Sequence, residues 1–335
     1  MYRIDETKMI VAAKNSLTEA ARKRPLFIDF LIFMLVATIS SVPQTLISTA
    51  YSYIKMLTDP KYYEIVMSES FDTAEVLEYV MGFFTSYPSW IYALMLAASG
   101  FMIVCAIFYC KKFEKRGAFT LGFNKRCFFT EYLGGACKGL SMISIPTLAC
   151  ILTGCVTFTF NKNANPLMIA LFFVAFLLQG MGEEALFRGY FMTSLARRYN
   201  QWPAIIISAL IFAAFHAGNA NFSIIAFINI TLFGIFAGVF MLKRGSIWAI
   251  GGIHAIWNFA QSNIWGLNVS GNPKFDSLFV ATDNGFGSIL SGGEFGLEGG
   301  LGVTVVLLVA ILISLLTPTK KCELAFPKKE ETENQ

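Results

Sequence analysis

Apolar runs of about 20 residues recur along this chain, and that is the length an α-helix needs to cross the roughly 30 Å hydrocarbon core of a bilayer. They fall at Leu26 to Tyr53, Trp90 to Tyr109, Leu140 to Phe160, Pro166 to about Arg188, Trp202 to His216, Phe222 to Leu242, Ile247 to Trp265 and Leu301 to Leu316. Inside lipid every backbone polar group must find its partner within the protein, which restricts such runs to helices or a closed barrel. The runs are continuous rather than alternating, so the expectation is an all-α fold, a polytopic transmembrane bundle of about eight spans, two of them short. Composition excludes a soluble alternative. Charged residues make up 14% of the chain and hydrophobic ones 55%, against about 25% charge in ordinary soluble domains.

Loop charge gives an independent test of that count, because a missed or invented span would invert the pattern from that point onward. The leading segment carries Arg3, Lys8, Lys14, Arg22, Lys23 and Arg24, and the loop after the first run is acidic, with Asp59, Glu64, Glu69, Asp72, Glu75 and Glu78. Basic residues return at Lys111, Lys112, Lys115, Arg116, Lys125 and Arg126, then at Arg197 and Arg198, at Lys243 and Arg244, and in the tail at Lys320, Lys321, Lys328 and Lys329. The intervening connections are poor in basic residues throughout. Both termini are therefore expected in the cytoplasm, with the chain a multi-pass protein of the cell membrane.

No composition shift divides the chain. The expected organisation is a cytoplasmic amphipathic segment at residues 1–25, a bundle at 26–316 and a charged cytoplasmic tail at 317–335. The net charge of +4 is distributed over loops as an orientation signal, and no basic stripe with interleaved aromatics suggests nucleic acid as a partner. Seven scattered cysteines lack any C-x-x-C pair and read as small apolar fillers. The outer connection at 266–300, rich in glycine, asparagine and phenylalanine, reads as a solvated connector without regular structure.

Ionisable residues inside apolar runs are functional candidates by default. Here they include Glu183, Glu184 and Arg188 in one run, His216 closing a second and His254, with Asn258, in a third, and the chain has no other histidine. Glu184 and Arg188 have the spacing and order of a helical ion pair. Adjacent Glu183 points about 100° away and is left without a local partner, which suits a general base. His254 and Asn258 project from one helical face and offer donors to a common point, either as an oxyanion clamp or as helix-to-helix packing bonds. Counting the helical rise from the cytoplasmic ends puts Glu183 and His216 roughly 20 Å deep and His254 roughly 12 Å deep, within one broad layer. Such a set supports water activation by Glu183 with His216, attack on a carbonyl, and charge stabilisation by His254 and Asn258. Catalysis without a cofactor is the favoured reading; zinc held by Glu183, His216 and His254 is the alternative, although the H-E-x-x-H spacing is absent.

In order and spacing these pieces resemble the CPBP family of intramembrane endopeptidases, which includes CAAX prenyl proteases and bacteriocin-processing or immunity (Abi-type) proteins. Glu-Glu-x-x-x-Arg falls on Glu183, Glu184 and Arg188; Phe-x-x-x-His on Phe212 and His216; His-x-x-x-Asn on His254 and Asn258. The resemblance implies a protease core at about 166–265, with Glu183 and His216 activating water and His254 and Asn258 forming the oxyanion hole. Glu184, Arg188 and Phe212 would support them. The implied partners are the bilayer and a peptide or protein substrate, lipidated in the CAAX branch of the family. The alternative carried forward is a non-catalytic immunity or partner-binding membrane protein on the same fold; a proton relay built on the buried carboxylates is a third reading.

Overall fold

Each apolar run has a helical counterpart. The computed structural model describes residues 8–68, 72–125 and 128–317. The helices that answer to the apolar runs are α1 (Leu26–Thr58), α2 (Ser89–Lys112), α3 (Phe128–Thr153), α4 (Pro166–Ala196), α5 (Gln201–Phe215), α6 (Ile224–Arg244), α7 (Trp248–Phe259) and α8 (Leu301–Leu316). Among the described residues α1, α2, α3, α4 and α6 are long and apolar enough to cross a membrane, while α5 and α8 are shorter. The twelve residues of α7 run on into wide π-helical turns at Ala260–Ile264. The bundle's outside is apolar. Along α1, Leu31, Leu35, Ile39, Val42 and Leu46 recur every three to four residues and are all exposed, the stripe expected of a helix whose solvent is lipid. This is an integral membrane protein built as a helical bundle.

Glycine sets how closely the central helices approach. A Cβ on Gly135 or Gly139 of α3 would lie 2.0 Å from the Ala249 carbonyl oxygen or 2.3 Å from that of Ile253, both on α7. On α7's other side, a Cβ on Gly180 of α4 would lie 2.6 Å from the Ala255 nitrogen. Small residues let membrane helices touch backbone to backbone, where dispersion rather than the hydrophobic effect holds them. As a result α7 is clamped between α3 and α4, and its histidine is delivered to the carboxylates of α4.

The third apolar run departs from its expected limits. Its helix begins twelve residues earlier, at Phe128, and stops at Thr153; Gly154 follows in the left-handed region at φ 71°, a common way to end a helix. Val156–Phe160 forms strand β1, paired antiparallel with β2 (Phe279–Asp283). The sequence V-T-F-T-F alternates β-branched and aromatic residues, which favours a strand despite its high hydropathy. At the start of α3, Glu131 is neutralised by both Nε and Nη2 of Arg244.

The connection at 266–300 is likewise not a solvated linker. It contributes β2 and several single helical turns, and Leu267, Val269, Ala281, Phe295 and Leu297 are buried. Amide side chains of the bundle hold its backbone: Asn219 Nδ2 donates to the Ser270 carbonyl (2.7 Å), Gln261 Nε2 to that of Asn268 (2.6 Å), and Asn229 Nδ2 to those of Glu298 (2.8 Å) and Gly300 (2.9 Å). Gly296, at φ 99°, passes so close that a Cβ would lie 2.0 Å from the Asn268 oxygen. Glycine here serves dense packing instead of looseness.

Two basic residues read as loop charges are buried. Glu114, just past α2, accepts from Arg116 Nε (2.6 Å), Arg197 Nη2 (2.7 Å) and Ser194 Oγ (2.9 Å), and all four residues are under a tenth exposed. Burial alone would push the Glu114 carboxyl up, yet the two guanidinium charges and these hydrogen bonds outweigh it and hold the group below its ordinary range. The amino-terminal helix Lys8–Asn15 buries Met9, Ile10 and Ala13 against the protein. Of the described cysteines, four are buried and Cys137 is exposed, all with free thiols. Arg3, Glu69, Arg126, Cys127 and the expected tail from residue 318 onward, with Lys320, Lys321, Cys322, Lys328 and Lys329, lie outside the described residues.

Candidate active site

Helix α4 starts with Pro166 in its first turn and the Asn165 side chain capping the nitrogens of Leu167 and Met168. It is regular as far as Glu184 and then widens into π-helical turns over Ala185–Met192. Such turns inside an α-helix often mark functional sites. Here the widening directly follows the two glutamates. A second one, at Ala260–Ile264, closely follows Asn258.

The two glutamates diverge as their adjacency requires. Glu184 is fully buried; its Oε1 accepts from His254 Nδ1 at 2.8 Å and lies 3.3 Å from Arg188 Nη1. The guanidinium of Arg188 sits 4.1 Å above the Phe212 ring, so its charge meets a carboxylate and an aromatic face. Glu184 therefore pairs with Arg188 and also fixes the ring of His254. Glu183 does have a local partner, which corrects the sequence reading. One turn earlier, Gln179 Nε2 donates to Glu183 Oε1 at 2.7 Å. The other oxygen, Oε2, is buried without a hydrogen-bond partner and lies 3.6 Å from His254 Nε2.

His216 caps the end of α5, where its Nδ1 donates to the Phe212 carbonyl at 2.9 Å. Both imidazoles thus use Nδ1 for a fixed acceptor, which orients each ring and leaves Nε2 for other chemistry. Asn258 Nδ2 donates to Gln179 Oε1 at 3.1 Å, so Gln179 joins the two ends of a polar chain running from Asn258 to Glu183. Sequence reasoning passed over Gln179. Its signal was a lone amide in an apolar run, four residues before Glu183.

Glu183, His216, His254 and Asn258 line one cavity of about 480 Å³, together with Gln179 and Phe212. Apolar side chains make up much of the wall, among them Phe176, Phe187, Phe233 and Trp257. Glu184 and Arg188 stand behind it. The 266–300 connection supplies Ser270, Asn272, Phe275 and Glu298 to the same wall, and none of these was singled out from sequence. Among the described residues no three His, Cys, Asp or Glu side chains converge in a way that could hold a metal ion. The zinc set of Glu183, His216 and His254 is therefore not met by this geometry, and no step below is routed through a metal.

The helical membrane bundle thus gathers carboxylate, imidazole and amide groups around one cavity. Residues 165–260 match the family described as type II CAAX prenyl endopeptidase Rce1-like. That segment runs from the cap of α4 to the end of α7 and carries all three motifs, and the match agrees with the resemblance of those motifs to the CPBP family. No curated protein and no solved structure matches the chain.

Proposed function

We propose that the protein is an intramembrane endopeptidase that cleaves a peptide bond by activated water. One observation carries the reading: Glu183, His216 and the pair His254 and Asn258 come from three separate helical segments and line a single cavity, within the stretch matched by a peptidase family. The buried Oε2 of Glu183 takes a proton from water as the water oxygen attacks the scissile carbonyl, with His216 orienting that water. The carbonyl π electrons move to oxygen. Protonated at both nitrogens, His254 donates Nδ1–H to Glu184 and Nε2–H to the oxyanion. Asn258 contributes the N–H of its amide that Gln179 does not use. Collapse breaks the C–N bond, and the proton held by Glu183 passes to the departing nitrogen, leaving a new carboxyl and a new amine.

The substrate is a membrane-associated peptide or protein, and the apolar cavity wall has room for a lipid modification. Loop charge supports placement in the cell membrane with both termini cytoplasmic. The test is a peptide-library digest by the purified, reconstituted chain, read by mass spectrometry with and without a strong chelator. Wild type should cut at defined bonds, while Glu183→Gln and His216→Ala should lose at least about 10²-fold in rate, the span typical of acid–base groups. Full activity in both variants would refute the assignment. Equal protection of cells against a toxin by wild type and Glu183→Gln, with no cleavage by either, would establish the non-catalytic alternative.

A further inference from the structure

The cavity wall holds carboxylates that no lysine or arginine of the lining faces. It includes two carboxylates, Glu183 and Glu298, and two imidazoles, but no lysine or arginine. The nearby cations are committed elsewhere. Arg188 faces Glu184 and Phe212, and Lys274 Nζ donates to the Ala281 carbonyl in β2 at 2.9 Å.

Glu298 is built into this position. Its backbone carbonyl is held by Asn229, and its side chain accepts from the Ser270 nitrogen (2.6 Å), Ser270 Oγ (2.9 Å) and Gln261 Nε2 (3.5 Å). All three bonds converge on Oε2, and none of them reaches Oε1. Burial pushes the Glu298 carboxyl up, opposed by the Ser270 bonds and the positive fields of His216 and His254. The carboxylate is thus oriented through one oxygen and half-buried in a cavity wall that contains no lysine or arginine to pair with it.

We infer that Glu298 forms a specificity subsite for a basic side chain of the substrate, lysine or arginine. The inference rests on the peptidase reading for the identity of the ligand as a peptide. Its physical basis is separate: Glu298 is held through Oε2 in a wall without lysine or arginine, so an incoming ammonium or guanidinium can pair with its carboxylate.

The test measures binding so that it does not depend on hydrolysis. The full chain is reconstituted in zwitterionic nanodiscs at high salt. It is titrated by fluorescence anisotropy with peptides that differ at one scanned position, carrying lysine, arginine, norleucine or glutamate, each with an amidated C-terminus. At one register the basic peptides should bind about tenfold or more tightly than norleucine, equivalent to at least about 1.4 kcal/mol. Glutamate should bind more weakly still. Glu298→Gln, which keeps an acceptor for Ser270, should remove the preference for basic residues, and the wild-type series stands as a test without any variant. Absence of a charge preference, a preference unchanged in Glu298→Gln, one removed by Glu183→Gln instead, or no binding by any peptide would each overturn the inference. Selective binding without cleavage would count against the peptidase assignment alone.

Discussion

Removing the carboxylate of Glu184 separates two roles that the structure combines in one side chain. In Glu184→Ala the guanidinium of Arg188 stays buried 4.1 Å above Phe212 but loses the carboxylate 3.3 Å away, and His254 Nδ1 loses the acceptor at 2.8 Å. Breaking a buried pair in this way costs about 3–5 kcal/mol. The retained aromatic contact, worth about 2 kcal/mol when desolvated, keeps the figure from being larger. For a chain of this size the loss amounts to a fall in apparent Tm on the order of 10 °C. The assay is thermal unfolding of the reconstituted protein, followed by reaction of a fluorogenic maleimide with its buried cysteines. Glu184→Ala/Arg188→Met removes the orphaned cation and should recover most of the lost stability. It should not restore cleavage, because the ring of His254 is still unanchored, and a misplacement of about 1 Å costs on the order of 10²-fold in rate. Glu184→Gln, which keeps an oxygen for Nδ1, should retain more activity than either. If the double variant is no more stable than Glu184→Ala, the buried-charge argument is wrong; if it cleaves at the wild-type rate, Glu184 does not position His254.

Two further perturbations address the scaffold. Gly139→Leu should prevent α3 from meeting α7, since even a Cβ would lie 2.3 Å from the Ile253 carbonyl oxygen; a loss of several kcal/mol, on the order of overpacking a core at more than one position, should appear as poor yield and early unfolding, and normal stability would refute the close contact. Glu114 supplies a pH dependence. Its folded-state carboxyl is held below the ordinary value of 4.5, so its stabilisation is fully present above that pH and is lost as pH falls through the depressed folded value. The Tm difference between wild type and Glu114→Gln should be constant above about pH 5 and shrink on acidification, and a difference that grows towards acid would reverse the sign of the argument.

Much of the architecture was legible because lipid imposes a simple rule on sequence. Runs such as Leu26 to Tyr53 are recognisable from length and hydropathy alone, and each acquired a helix near its expected place. The errors arose where hydropathy and backbone preference part company. Val156–Phe160 is as apolar as a helix but alternates like a strand, and the strand formed because β2 was there to pair with it. Arg116 and Arg197 looked like loop charges, since nothing local reveals that Glu114 will stand between them.

At the site, sequence determined the inventory. Three motifs with fixed spacing named Glu183, Glu184, Arg188, Phe212, His216, His254 and Asn258, because residues within one helix keep their relation at about 1.5 Å and 100° per residue. Relations between helices were decided only by tertiary structure. The α3 and α4 glycines set how near α7 comes, so that His254 meets Glu184 through one nitrogen and faces Glu183 with the other. The same packing brought Glu298, more than one hundred residues after Glu183, to the cavity from a connection whose sequence suggested only flexibility. Local spacing is written in the chain, whereas the meeting of distant side chains depends on close contacts that no single segment contains.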